Sequence, residues 1–441
     1  MLKHLLRGGR DIKGDSWVAT LGGSSSNDSV YGSSVAIGPD DSVYVCGFVS
    51  STSSTSAPDG FIAKFDSSGT LQWQKTLVGK YQEKSFSVAV GPDGSVYVCV
   101  YQSDPHGAVS DLMVVKFDSS GEIQFQKALG RSKSVYGQSV AIGLDGSVYV
   151  CAYMYSMEKN NLFDHLIAKL DSSGALQWQK QLHDPSQFAV SHPDQHVSVA
   201  IGPDGSVYVG GKIRHSTPNS TYSKILIAKF DSSGVLQWQK TLYGGKWEDG
   251  TSLAVGPDGS VYVGGSTQLS SGRYDILIAK LNSSGSIQWQ KTIGEGYNDE
   301  SFSVAVGPDG SVYVCGEIGD KYVPKYDCLI VKFNPSGTLQ WQKNCDYIYD
   351  SSLAIGPDDS VYICGRSSSN LRLARITDAD IKKSTAVCGH FKLQDVSVPT
   401  SNSYLRSETA SLSVSDAGLS VSTASLTISD ANFISNKCEG E

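Results

Sequence analysis

The 441-residue sequence has no apolar run near the ~18 residues that a membrane-spanning helix needs. Where a secretory leader would place its apolar core, Gly8-Gly9-Arg10 follows Met1 to Arg7, so no such leader is expected. Charge is sparse: 18% of residues are Asp, Glu, Lys or Arg, against ~25% in ordinary soluble chains. The 36 basic and 44 acidic side chains leave a net charge of −8 without any basic block, which argues against nucleic acid as a partner. No segment keeps a 3.6-residue apolar period, so almost no helix is expected. Cys-x-x-Cys pairs are missing and the cysteine total is an odd 9, which disfavours a disulfide framework. Glycine, by contrast, is plentiful at 46 residues, and it recurs in a pattern.

The block Gly-Pro-Asp-Gly-Ser-Val-Tyr-Val returns, with small changes, from Gly38, Gly91, Gly143, Gly202, Gly256, Gly307 and Gly356. A second block alternates with it, running from Ile62 through Asp66-Ser67-Ser68-Gly69 and Leu71-Gln72-Trp73 to Lys75. It recurs ending at Lys127, Lys180, Lys240, Lys291 and Lys343. A period of roughly fifty residues is too long for leucine-rich or ankyrin units and suits propeller blades. Each period reads as four strands. Ser87 to Val90 alternates into a Gly-Pro-Asp-Gly turn, Ser95 to Cys99 alternates again, and a polar stretch leads to Leu112 to Phe117. A turn at Asp118 to Gly121 then opens the last strand, through Phe125. Four-stranded sheets repeated radially make a β-propeller.

The chain ends decide the blade count. The fourth strand carries Trp73, Phe125, Trp178, Trp238, Trp289 or Trp341, one short of the seven Gly-Pro-Asp blocks. After the seventh block, Leu371 to Ile376 supplies a third strand with no Leu-Gln-Trp strand behind it. The missing piece stands at the other end, around Trp17. The expected fold is therefore all-β: a seven-bladed β-propeller over 12–380, closed by the N-terminal strand, between an arm (1–11) and a C-terminal β-extension (381–441). Closure removes the sheet edges that an open array would expose.

The run Asp275 to Gly285, continuing through Trp289 to Gly294 and Val304-Ala305-Val306, resembles the SBBP repeat of bacterial seven-bladed β-propellers. The resemblance extends over 12–380. It implies a binding and surface scaffold with no shared catalytic motif and no cofactor.

In such a meander the turns after strands one and three share one face of the ring, and the loops after strands two and four share the other. The Pro-Asp-Gly and Asp-Ser-Ser-Gly turns barely vary. They read as backbone geometry, with a ring of weak cation sites as the rival. Asp-Ser-Ser-Gly-x-x-x-Trp also resembles the Asp-box of sialidases, but its spacings differ and no three arginines recur at matched positions, so a sialidase is not expected. The variable loops carry the binding candidates Tyr81, Tyr101, Tyr153, Trp247, Asp249, Tyr297, Asp299 and Tyr322. Rings beside carboxylates suit sugar stacking or a protein hot spot; they equally suit packing between blades. His192-x-Asp194-x-His196, if extended, would aim three ligands to one side, and a solvated loop is the alternative.

Three columns run through the blades. Cys46, Cys99, Cys151, Cys315 and Cys364 share one site with Gly210 and Gly264, and they read as buried reduced thiols. Ala36, Ala89, Ala141, Ala200, Ala254, Ala305 and Ala354 would let the inner strands crowd the axis. Lys64, Lys116, Lys169, Lys229, Lys280, Lys332 and Arg375 are expected to be solvated, with phosphate binding as the rival.

From Tyr404 to Cys438 the chain parses as heptads, with Leu405, Leu412, Leu419, Leu426 and Phe433 second and Val414, Val421 and Ile428 fourth. Ser and Thr dominate, so a coiled coil is excluded. The segment reads either as a disordered tail or as short strands that order on a partner or on symmetry copies. The blades and this tail are similar to structural proteins of marine tailed phages. That resemblance implies a virion component assembled in the host cytoplasm, tethered to other virion proteins by the extension and showing its loop face to a host receptor or glycan. A purely architectural subunit and a bacterial cell-surface adhesion propeller are the alternatives. An enzyme, the third class, would need a converging acid, base and often a metal.

Overall fold

The computed structural model describes residues 16–381, apart from 24–26, 52–57, 79–81, 104–109, 131–133, 157–161, 184–195, 218–219, 244–246, 295–298, 320–325 and 346–347. It also describes eight short strands between residues 385 and 437. Tyr81, Tyr297, Tyr322, His192 and Asp194 fall outside these residues.

Each repeat folds as its alternation and turns dictate. In the first, Asp28–Ile37, Val43–Ser51, Asp59–Phe65 and Leu71–Val78 form one antiparallel meander. The Gly-Pro-Asp-Gly turn is held from within. Asp93 accepts the Ser95 amide at 3.0 Å and the Ser95 hydroxyl at 2.8 Å, and Gly94 sits at φ 77°. Two repeats place Asp at that left-handed position instead, Asp41 at φ 59° and Asp359 at φ 61°, a conformation that Asp tolerates better than most side chains.

Seven such sheets stand in a ring. Blades I to VI span 28–78, 82–130, 134–183, 197–243, 248–293 and 300–345; blade VII has three strands within 349–376. Its fourth is Trp17–Gly22, antiparallel to Asn370–Ile376 with Trp17 opposite Arg375 and Leu21 opposite Leu371. Ser16 secures the joint, donating to the Asp380 carboxylate and accepting the Thr377 amide at 2.9 Å. The ring is closed by the chain's own beginning, as the missing seventh aromatic requires.

The core lies between the blades. One cluster joins Cys99, Leu112 and Val114 of blade II to Val135, Val140 and Val150 of blade III. Each fully buried Val or Leu contributes ~1.5–3 kcal/mol. The first strands of neighbouring blades touch all the way round, and the alanine column stands there, half-buried. Cys46, Cys99, Cys151, Cys315 and Cys364 are wholly buried thiols outside any disulfide. Among the described residues no helix is long and apolar enough to cross a membrane.

The C-terminal strands build no sheet of their own. Phe391–Asp395, paired with Thr385–Cys388, adds to the fourth strand of blade VI, and the six strands that follow add one each to blades V, IV, III, II, I and VII. The tail, read from sequence either as disordered or as short strands that order on a partner or on symmetry copies, here lends its described strands to the sheets of its own propeller.

Candidate functional site

The two faces of the ring differ in chemistry. On the constant face, five fourth-strand tryptophans tie their blades to the next. The Trp17, Trp73, Trp178, Trp238 and Trp289 indoles donate to the carbonyls of Ser67, Ser119, Ser232, Ser283 and Pro335 at 2.9–3.1 Å. The turn glycine lies flat under the ring; a Cβ on Gly69 would come within 2.5 Å of Trp17.

The basic column was expected in solvent and is not there. Lys64, Lys169, Lys229, Lys280, Lys332 and Arg375 keep only 9–13% of their side chains exposed and pair with Asp40, Asp145, Asp204, Asp258, Asp309 and Asp358. Each cation also lies 4.8–5.8 Å from a ring of the Ser-Val-Tyr-Val block, Lys116 over Tyr97 included. Lys64 further donates to the Ser119 carbonyl of the next blade at 3.3 Å. The stems snorkel along the tyrosines, so the side chains pack while the charge is met. Burial would lower the Lys64 pKa, but Tyr44 and Asp40 outweigh it and raise the value. Burial would likewise raise Asp40; the Ser42 hydroxyl and amide, then Lys64, hold it below the usual carboxylate range. Motif residues here are consumed in holding each blade's turns and in bonds to the next blade. Among the described residues no three His, Cys, Asp or Glu side chains are grouped to hold a metal, and His196 of the candidate triplet is exposed.

On the variable face, Tyr31 stacks on Phe48 with centroids 4.6 Å apart and planes at 9°. The Arg366 guanidinium lies 5.2 Å from the Tyr31 centroid, and the Lys84 ammonium lies 4.8 Å from that of Phe48. Lys84 is the cross-strand partner of Tyr101, which stacks on Tyr136 at 5.5 Å; Tyr136 stacks on Tyr153 at 4.8 Å. An arc of alternating cations and rings thus runs across blades VII, I, II and III. Burial pulls the Lys84 ammonium below its ordinary pKa. Among the described residues, neither Lys84 nor Arg366 meets a carboxylate within ion-pair distance, and the buried Nε of Arg366 makes no hydrogen bond.

Of the sequence candidates, Tyr101 and Tyr153 belong to this arc, Tyr101 half-buried and Tyr153 only 5% exposed. Trp247 and Asp249 form a second group across the ring: Arg214 lies 5.2 Å from the indole, and Lys212 donates to Asp249 at 2.6 Å. Asp299 is buried and accepts the Gly319 amide at 2.8 Å. Arg366, Tyr31, Phe48, Lys84 and Tyr136, which complete the arc, are not among the sequence candidates. One signal was there to use: Val-Tyr-Gly occurs at 30–32 and again at 135–137, at the same blade position.

Residues 256–287, one turn-to-turn unit of blade V, match the model of a domain of unknown function described as a β-propeller, DUF5122. The regulatory protein FlaEY of Caulobacter vibrioides is 26% identical over 175 residues, which are 34% of this chain and 18% of FlaEY. Among solved structures, the β-propeller domain of the Trilobed protease from Pyrococcus furiosus shares 11% identity over 79% of this chain and 93% of its own, with a TM-score of 0.46. Pyrococcus horikoshii acylaminoacyl peptidase shares 11% over 81% of this chain and 54% of its own, with a TM-score of 0.44. The chain is a seven-bladed β-propeller, similar within its fifth blade to a propeller family of unassigned function.

Proposed function

We propose that this propeller is a non-enzymatic recognition module of a virion, binding a host glycan or receptor on its variable face through the arc from Arg366 to Tyr153. One contrast carries the reading. The constant face answers its cations with carboxylates of the same blade and its indoles with carbonyls of the next, whereas the variable face holds two half-buried cations beside stacked rings with no carboxylate in ion-pair reach among the described residues. Burying a cation without its counter-charge is costly, and an arriving anion relieves that cost. Ring faces next to cations suit a sugar that carries a carboxylate or sulfate. The virion setting rests on the resemblance of blades and tail to phage structural proteins. A bacterial cell surface is the other setting in which such a module would work.

The test is a glycan array probed with the full chain, then titrations of Arg366→Ala and Lys84→Ala against the best acidic and neutral hits. Preference for acidic glycans, lost in both variants, supports the reading; no signal, or binding indifferent to both changes, overturns it. Mass spectrometry of purified particles tests the setting.

A further inference from the structure

We infer that the outer rim of the propeller is a strand-addition surface of seven equivalent edges, made for the C-terminal repeats of this same chain at one heptad per blade. The register carries the inference. Leu393, Thr400, Ser407, Val414, Val421, Ile428 and Ser435 stand seven residues apart, and they pair with Cys345, Ile293, Leu242, Leu182, Leu129, Leu77 and Leu21. Every one of those partners lies four residues beyond the fourth-strand aromatic of its blade. The tail therefore passes each edge once, at one position, in the reverse of the order in which the blades follow along the chain.

Two periods that have nothing to do with each other in sequence meet here. The heptad is a property of residues 404–438, and the blade is a property of a repeat of roughly fifty residues. Their match has a geometric cause. Neighbouring strands rotate by about 20–25°, so four steps turn the fifth strand about 80–100° from the first. If the inner strands run along the axis, a fifth strand turned by that much lies round the circumference, and all seven added strands run antiparallel to the fourth strands they pair with. Seven extended residues span about 23 Å and seven heptads about 160 Å, the circumference of a circle of about 26 Å radius. Five strands at about 4.8 Å spacing put the last one about 19 Å outside the first. That leaves the first strands about 7 Å from the axis, the close approach that an alanine column permits.

The composition agrees with this role. An outer edge offers a row of backbone N–H and C=O groups to any strand of matching length. A strap held by backbone pairing needs extended residues more than large apolar ones, and this segment is rich in Ser and Thr. Laid round the rim, it masks all seven edges and binds each blade to the next from outside.

The experiment uses the full chain. Thr76→Cys with Ser429→Cys places thiols at register partners on blade I. Thr76→Cys with Ser422→Cys is the control one heptad away, since Ser422 belongs opposite Ala128 of blade II. Mild oxidation should link the first pair within one chain, at monomer mass on a non-reducing gel, and leave the control unlinked. Equal linkage of both pairs, or of neither, overturns the inference. Linkage between two chains also overturns it and assigns the rim to the tail of a second copy. Hydrogen exchange on the unmodified chain gives a second reading: amides of 75–78 and 127–130 should be as protected as those of the central strands. Rapid exchange along those edges refutes the strap without any substitution.

Discussion

The Trp17 indole donates to the backbone carbonyl of Ser67 at 2.9 Å, and the same ring covers Gly69, where any Cβ would come within 2.5 Å. Trp17 belongs to the strand that completes blade VII; Ser67 and Gly69 belong to the turn of blade I. The contact that joins blades I, III, IV and V to their successors is thus also the one that shuts the ring between blades VII and I.

Trp17→Ala should accordingly cost more than an ordinary surface tryptophan, ~3–5 kcal/mol for a buried aromatic, read as a fall in Tm. Gly69→Ala should destabilise independently through both its φ of 79° and the collision with the indole. A Gly69→Ala chain with unchanged Tm would show that the ring is not seated as described.

Acid should loosen the constant face. Asp40, Asp93, Asp145, Asp204, Asp258, Asp309 and Asp358 all titrate below the usual 3.8. Burial works against this, and hydrogen bonds from the serine two residues on, together with the basic column, overcome it. A depressed folded pKa gives stability that is complete above 3.8 and lost as pH drops through the folded values. Tm measured from pH 6 downward should hold until about pH 4 and then fall, with the fall reduced in an Asp93→Asn, Asp145→Asn chain. A flat profile down to pH 2 contradicts the assignment.

Lys84→Met should leave Tm unchanged or higher, because it removes a cation that burial already strains while keeping the stem against Phe48. The same variant should lose acidic-glycan binding by tenfold or more, the effect of about 1.4 kcal/mol. A drop in Tm would instead mark Lys84 as a structural partner.

At Gly210, a glycine of the cysteine column, a Cβ would lie 2.7 Å from the Leu253 side chain of the next blade. Gly210→Cys should cost ~1–3 kcal/mol by overpacking, and adding Leu253→Val should recover most of it, a coupling that a double-mutant cycle reads directly. Additive losses would mean that the two sites do not touch.

Much of this was legible from residues alone. The alternation of Ser-Val-Tyr-Val, the turn glycines and the missing seventh tryptophan lead to seven closed blades, because strand, turn and repeat are local patterns. The basic column was misjudged because its partners come from elsewhere in the repeat. Lys64 is answered by Tyr44 and Asp40 across the neighbouring strand, and by Ser119 of the next blade. Of the arc proposed to bind, Tyr101 and Tyr153 are sequence candidates, whereas Arg366 and Tyr31 stand near opposite ends of the chain and meet only because the ring closes.

By itself, then, the sequence determined the blade, the number of blades and the strand that closes them, since a two-residue period and a tight turn need no distant partner. It also contained the heptad of the tail. The tertiary structure decided which blades became neighbours, which cations were answered and which edge the tail would follow. Those depend on where accumulated sheet twist carries each strand around the axis, and no single repeat encodes that.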